Sequence, residues 1–216
     1  MSLNHEINEV NRRLVRGEFL CSVTAPKVVE SLKQSGFRED VETGLGYLGL
    51  KLVASEYDDY FYAAYDDLDV SKDLSSIKQE IQEAFKKIEP FLAFMKLISE
   101  ALGTEQYPDI DHRFYFGEVL SIIESNEALS EGLRKLSTKL IFKRAGKKLT
   151  LSDRLGEIIR VMEREGIVIC ANGDERTLFV YTGKVPYLLD LIEKTIEAKG
   201  LDLDSEETSS LNLEFL

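Results

Sequence analysis

Apolar positions recur every three to four residues along most of this chain, and short runs with strand character interrupt them. Leu3, Ile7, Val10 and Leu14 predict an amphipathic opening helix that Gly17 ends. Residues 19–23 read as a short apolar strand. Thr24 is placed to cap the next helix, with Pro26 in its first turn, where a missing N–H costs nothing. That helix carries Val28, Val29 and Leu32 on one face and stops at Gly36; another spans about residues 37–48. Residues 50–56 and 60–65 form a hairpin across Asp58-Asp59. Helix, short strand, helix, helix, hairpin is the element order of a winged-helix domain.

A long helical region follows over 73–102, with Leu74, Ile77, Ile81, Phe85 and Ile88 on one stripe and Phe91, Met95, Ile98 and Leu102 continuing it; Pro90 is expected to break or kink it. Residues 104–113 read as a polar connector. The plan then repeats. Helices are predicted over 116–124 and 127–140, and Thr150 with Asp153 makes a capping-box pattern ahead of a helix lined by Leu155, Ile158, Ile159 and Met162. Residues 167–171 and 177–181 flank Asn172-Gly173-Asp174, the strongest hairpin signal in the sequence. A last helix carries Val185, Leu188, Leu189, Ile192 and Ile196. The expected fold is mainly α with small β-hairpin wings, an α+β chain of two tandem winged-helix domains (1–70 and 104–199) joined by a helical linker (71–103). Residues 200–216 are acidic and serine-rich, a composition that favours disorder, and end on Leu211, Leu213, Phe215 and Leu216.

Composition narrows the function by exclusion. Of 216 residues, 39 are acidic and 27 basic, a net charge of −12, which argues against a surface built throughout to grip nucleic acid or anionic lipid. Apolar runs stop near five residues, against about 20 for a spanning helix, and the first sixteen residues lack the apolar core of a signal peptide. Cys21 and Cys170 sit in apolar segments and are expected to be buried, reduced thiols of a cytoplasmic protein. Charge is uneven. Arg134, Lys135, Lys139, Lys143, Arg144, Lys147 and Lys148 lie in one stretch with no acid among them. The ordinary reading of such a run is a solvated helix end; the functional one is a local contact with phosphates, which needs density rather than a basic whole.

Familiar chemistry is missing. Gly44-Leu45-Gly46-Tyr47-Leu48-Gly49 matches the dinucleotide fingerprint by letter, but that loop works by following a buried strand and opening a helix, and here the order is reversed. These glycines read as close helix packing and a helix stop. His5 and His112 are the only histidines, neither has a partner at i+4, and Asp109, Asp111 and His112 fall in the polar connector. There is no Gly-x-Ser-x-Gly elbow and no Cys-x-x-Cys pair. No catalytic residue, cofactor or metal site is assigned, and the chain reads as a non-enzyme.

The layout and several strings resemble the MukE/MksE-type (KITE) accessory subunits of bacterial condensin-like SMC complexes. The strings are Gly17-Glu18-Phe19-Leu20-Cys21, the Thr24-Ala25-Pro26 helix start, the wing Tyr60-Phe61-Tyr62-Ala63-Ala64-Tyr65, and the run Val180-Tyr181-Thr182-Gly183-Lys184-Val185-Pro186-Tyr187-Leu188-Leu189, within a likeness over about residues 3–199. The resemblance implies a homodimer of tandem winged-helix protomers. It implies a kleisin-like partner that bridges the heads of an SMC ATPase. It also implies a role in chromosome organisation and segregation, or in plasmid defence, at the nucleoid. DNA would be met indirectly or through a local patch, for which Lys139, Lys143, Arg144, Lys147 and Lys148 are the candidates. Tyr60, Tyr62 and Tyr65, with Leu213 and Phe215, are the candidate partner interface, since large amphipathic side chains are enriched there. The alternative is a winged-helix transcription regulator, which needs a basic recognition helix. Neither 37–48 nor 151–165 is convincingly basic.

Overall fold

The computed structural model of the protein describes residues 3–66 and 74–199, with side chains over 4–66 and 86–194. In chain order the elements are α1 (Leu3–Val15), β1 (Leu20–Cys21), α2 (Pro26–Leu32), α3 (Ser35–Gly46), β2 (Leu50–Ala54), β3 (Tyr60–Tyr65), α4 (Leu74–Leu102), β4 (Arg113–Tyr115), α5 (Phe116–Ser125), α6 (Glu127–Ser137), α7 (Leu151–Arg164), β5 (Val168–Cys170), β6 (Leu178–Tyr181) and α8 (Lys184–Lys199). The chain is mainly helical with two small antiparallel sheets, the α+β winged-helix-like class that the hydrophobic pattern predicts.

Both sheets have three strands and the same logic. In the first the order is β1-β3-β2, in the second β4-β6-β5, so each time a short early strand adds to the outer edge of the second hairpin strand. Leu20 pairs with Phe61 and Cys21 with Tyr60; Phe114 pairs with Phe179 and Arg113 with Val180. The connector expected over 104–113 holds as far as His112, and its last residue opens β4, a strand that was not expected. Its three residues alternate exposed, buried, exposed, a pattern too short to read in sequence.

The chain forms two compact units. The first contains the described residues up to Asp66, Asp109–Tyr115 and Glu163–Lys184, and so holds both sheets. Its main core is Val10, Leu14, Leu20, Val29, Leu32, Val41, Leu45 and Phe61, built from the inner stripes of α1, α2 and α3 laid on the first sheet. In the second sheet Phe114 stacks on Phe179 at 5.5 Å and sits the same distance from Tyr181. The Tyr181 hydroxyl is buried with no hydrogen-bond partner among the described residues, and burial pushes its pKa far above the phenol range. The second unit takes the remainder of α4, the connector up to Pro108, Phe116–Met162 and the chain from Val185. There Ile88, Met95, Ile98, Val119, Ile123, Leu155, Ile158, Ile159 and Met162 are all buried, as their spacing predicts, and Phe94 and Leu133 are buried with them.

Local details correct four expectations. Thr24 does not cap α2, whose N-cap is Ala25. Its hydroxyl instead accepts from the Cys21 N–H at 3.0 Å and donates to the Phe19 carbonyl at 2.8 Å, which closes the turn out of β1. α4 runs through Pro90 as one helix, with the proline ring buried. The Asn172-Gly173 hairpin exists, but its connection is a longer loop with a 3-10 turn over Gly173–Glu175 and a left-handed Arg176. Asn172 organises that loop, its side-chain oxygen accepting from the Thr177 and Leu178 N–H groups at 3.1 Å. Finally, both thiols are free, but Cys170 is only partly buried.

The glycine string behaves as packing. Gly44 faces Asn11 so closely that an ideal Cβ would lie 2.0 Å from the amide nitrogen, and Gly49 takes a φ of +70° at the helix stop before β2. A second close approach, against less yielding atoms, occurs at Gly183. Its N–H donates to Cys21 Sγ at 3.3 Å, and a Cβ there would lie 2.6 Å from Tyr60 Cβ and 2.9 Å from Cys21 Cβ. Those are root atoms of side chains on β1 and β3, which cannot rotate away. Gly183→Ala is therefore expected to destabilise the fold by about 1–3 kcal/mol, typical of overpacking. Chemical denaturation checks this; an unchanged midpoint would mean the backbone here yields freely.

Candidate functional site

The basic stretch folds in the second unit as a compact bridge between α6 and α7. Asn126 caps α6, its side chain accepting from the Ala128 and Leu129 N–H groups, and the helix ends at Ser137. Two 3-10 turns follow, Leu140–Phe142 and Ala145–Lys147, in place of the longer helix expected to residue 140. Phe142 is wholly buried and Ala145 nearly so, and these two anchors set which residues of the bridge face water. Gly146 lies against the end of α6, where a Cβ would come within 2.9 Å of the Ser137 carbonyl oxygen. Arg154 of α7 donates to Ser137 Oγ at 2.6 Å. Thr150 closes the bridge: it accepts from the Asp153 N–H at 3.0 Å and donates to the Asp153 carboxylate at 2.8 Å, as the capping pattern predicts.

This scaffold divides the five candidate cations. Lys139 is paired with Glu89, and Lys148 with Glu157 at 3.5 Å. Lys143, Arg144 and Lys147 are exposed and carry no ion pair among the described residues. The three sit within five residues of one another, in and beside the 3-10 turns that follow α6. Sequence reasoning missed what flanks them. Leu140 is 86% and Leu149 95% exposed, so the bridge presents two bare leucines beside three unpaired cations. The readable signal for Leu149 was its place off the apolar stripe of α7.

In the first unit the three wing tyrosines part ways. Tyr60 is buried, 6.2 Å from the Phe19 ring and beneath Gly183. Tyr62 is half-buried and stacks on Phe19 at 5.1 Å. Tyr65 is 47% exposed, next to Asp66, whose N–H donates to the Gly49 carbonyl, and Tyr47 and Leu48, which precede Gly49 in the chain, are also exposed. Leu213 and Phe215 lie outside the described residues.

Other candidates resolve into structure. His112 accepts from the Asp109 N–H at 3.0 Å and Arg113 holds Asp111 at 2.9 Å, so that cluster builds the turn into β4. Among the described residues no group of His, Cys, Asp and Glu is arranged to hold a metal ion, and no helix is long and apolar enough to cross a membrane. The arginines of the helices before each hairpin are all engaged. Arg38 binds Glu42 and Asp58, Arg160 binds Glu157, Arg164 binds Glu165, and Arg154 holds Ser137.

Among the described residues the two small sheets share one strand order, and the exposed features include a cationic bridge and an aromatic wing base. The model of the condensin complex protein MksE matches residues 5–190, so this chain belongs to that family of condensin complex subunits. No curated protein matches it.

The bridge geometry depends on its anchor. Phe142→Ala is expected to cost about 3–5 kcal/mol, the range for emptying a buried aromatic site. Urea unfolding measures it; a loss below about 1 kcal/mol would mean the bridge is not seated in the core.

Proposed function

We propose that this protein is a non-catalytic accessory subunit of a condensin-like SMC complex. In this reading it forms a homodimer, binds a kleisin-like subunit and through it reaches the SMC ATPase, and serves chromosome organisation and segregation, or plasmid defence, at the nucleoid. The family match over residues 5–190 carries the proposal. The shared strand order supports reading the chain as tandem winged-helix segments, 1–70 and 104–199, around the helix of 71–103. ATP chemistry then belongs to the partner, in keeping with a glycine string that packs α3 on Asn11 instead of opening a phosphate loop.

Two surfaces would meet the partners. Tyr65, with Tyr47 and Leu48, offers an exposed aromatic face for a protein partner, while Tyr60 and Tyr62 hold the wing against Phe19. Lys143, Arg144 and Lys147, supported by Lys139 and Lys148, offer phosphates a local cationic site on an acidic protein. The engaged arginines of α3 and α7 speak against a sequence-reading regulator, which needs free donors on its recognition helix.

An N-terminally tagged copy recovered from its host is expected to bring down a large coiled-coil ATPase and a smaller helical partner, identified by mass spectrometry. Recovery alone, or with one specific promoter, would overturn the proposal in favour of the regulator. In DNA titrations, replacing Lys143, Arg144 and Lys147 with glutamine is expected to weaken binding for every sequence alike. The slope of log affinity against log salt should fall by roughly 0.9 for each phosphate that the variant no longer neutralises. An unchanged slope would mean that this patch does not touch DNA.

A further inference from the structure

Phosphates account for the cations of the α6–α7 bridge but not for its leucines. Single exposed leucines are common on protein surfaces. Leu140 and Leu149, however, bracket Lys143, Arg144 and Lys147 within ten residues, and each is exposed over at least 86% of its surface. A duplex backbone offers such a site charge and nothing apolar. The surface instead fits an extended peptide that is acidic and also carries aliphatic or aromatic side chains.

This chain contains such a segment. Residues 201–216 hold Asp202, Asp204, Glu206, Glu207 and Glu214 with no base, and follow the first four acids with Leu211, Leu213, Phe215 and Leu216. We propose that residues 201–216 dock on the bridge of their own protomer, the acids against Lys143, Arg144 and Lys147 and the apolar residues against Leu140 and Leu149. Charge and apolar character both match, and they do so independently. Reach is no obstacle. Sixteen residues span up to about 50 Å when extended, and a body of about a hundred residues has a radius of gyration near 13 Å. The bridge and the chain from Val185 belong to the same unit. Tethering gives the segment an effective concentration on the order of millimolar, which favours it over a free acidic peptide at the same site.

The consequence is competition. Docking covers the cations assigned above to phosphates, so the segment would screen weak DNA binding until a partner or a high local DNA concentration displaces it. Only this competition rests on the DNA reading; the docking itself does not.

Zero-length carbodiimide cross-linking of the full chain, followed by peptide mass spectrometry, tests the docking. Lys143 or Lys147 is expected to link to acids of 202–214, and the links should vanish in 1 M salt. In an equal mixture of isotopically light and heavy protein, they should stay within one isotope. Links that mix isotopes would overturn the assignment to the same protomer. Absence of such links, while Lys27 or Lys96 links freely to other acids, would overturn docking altogether. Leu140→Ser with Leu149→Ser leaves every cation in place and changes only exposed side chains; it is expected to deplete the links, and unchanged links would refute the apolar half of the docking. Removing residues 201–216 should raise DNA affinity at low salt. If neither form binds DNA while the links persist, the DNA reading fails and the docking stands.

Discussion

The close passage of Gly183 over Cys21 and Tyr60 is the constraint on which the first unit depends. Neither three-stranded sheet is large enough to bury its own faces, and sheets this small need something packed on them to persist. At Gly183 the backbone leaving β6 reaches the strands β1 and β3 of the other sheet, and the Cys21 sulfur accepts its N–H in a fully buried position. Lys184 then follows with its ammonium 5.6 Å from the Phe19 ring while donating to the Glu165 carbonyl. One glycine therefore lets two parts of the chain far apart in sequence share a core. The strings that carry the family resemblance, Phe19-Leu20-Cys21 and Thr182-Gly183-Lys184, are the two sides of that approach.

A different economy governs the second unit. Its helices follow the apolar stripes closely, and α6 and α7 are joined by the irregular bridge. There a buried phenylalanine, a glycine pressed on a carbonyl and a capping threonine hold the chain in two tight turns. With Phe142 and Ala145 turned inward, polar and apolar side chains alike are pushed outward, leaving Leu140 and Leu149 in water beside the cations. A mixed surface of this type suits associations that form and release, because neither the charges nor the leucines are desolvated deeply enough to commit it to one occupant.

For a condensin complex subunit, the division between the units separates two kinds of surface. The wing base with Tyr47, Leu48 and Tyr65 belongs to the first, and the cationic bridge to the second. An acidic chain with one concentrated basic bridge avoids indiscriminate attachment to nucleic acid, since a net charge of −12 opposes it everywhere else.

The sequence by itself determined the helices and the hairpins, because both have periods that show in the letters. Val10 and Leu14, or Ile158, Ile159 and Met162, fall on one face wherever they are placed. It also determined that Gly44-Leu45-Gly46-Tyr47-Leu48-Gly49 is no phosphate loop, since the order of helix and strand around it is a local matter. The basic bridge was legible as charge. Only the tertiary structure decided the rest. The strand β4 is three residues long and exists because β6 offers it an edge. Thr24 gave up a helix cap for the turn after β1, a choice between two equally local partners that packing settles. Tyr60 and Tyr62 share one face of an alternating strand, yet one is sealed under Gly183 and the other is half-buried, because what covers a residue comes from far along the chain. Which of five cations stay unpaired followed in the same way from Glu89 and Glu157, carboxylates that no spacing rule connects to them.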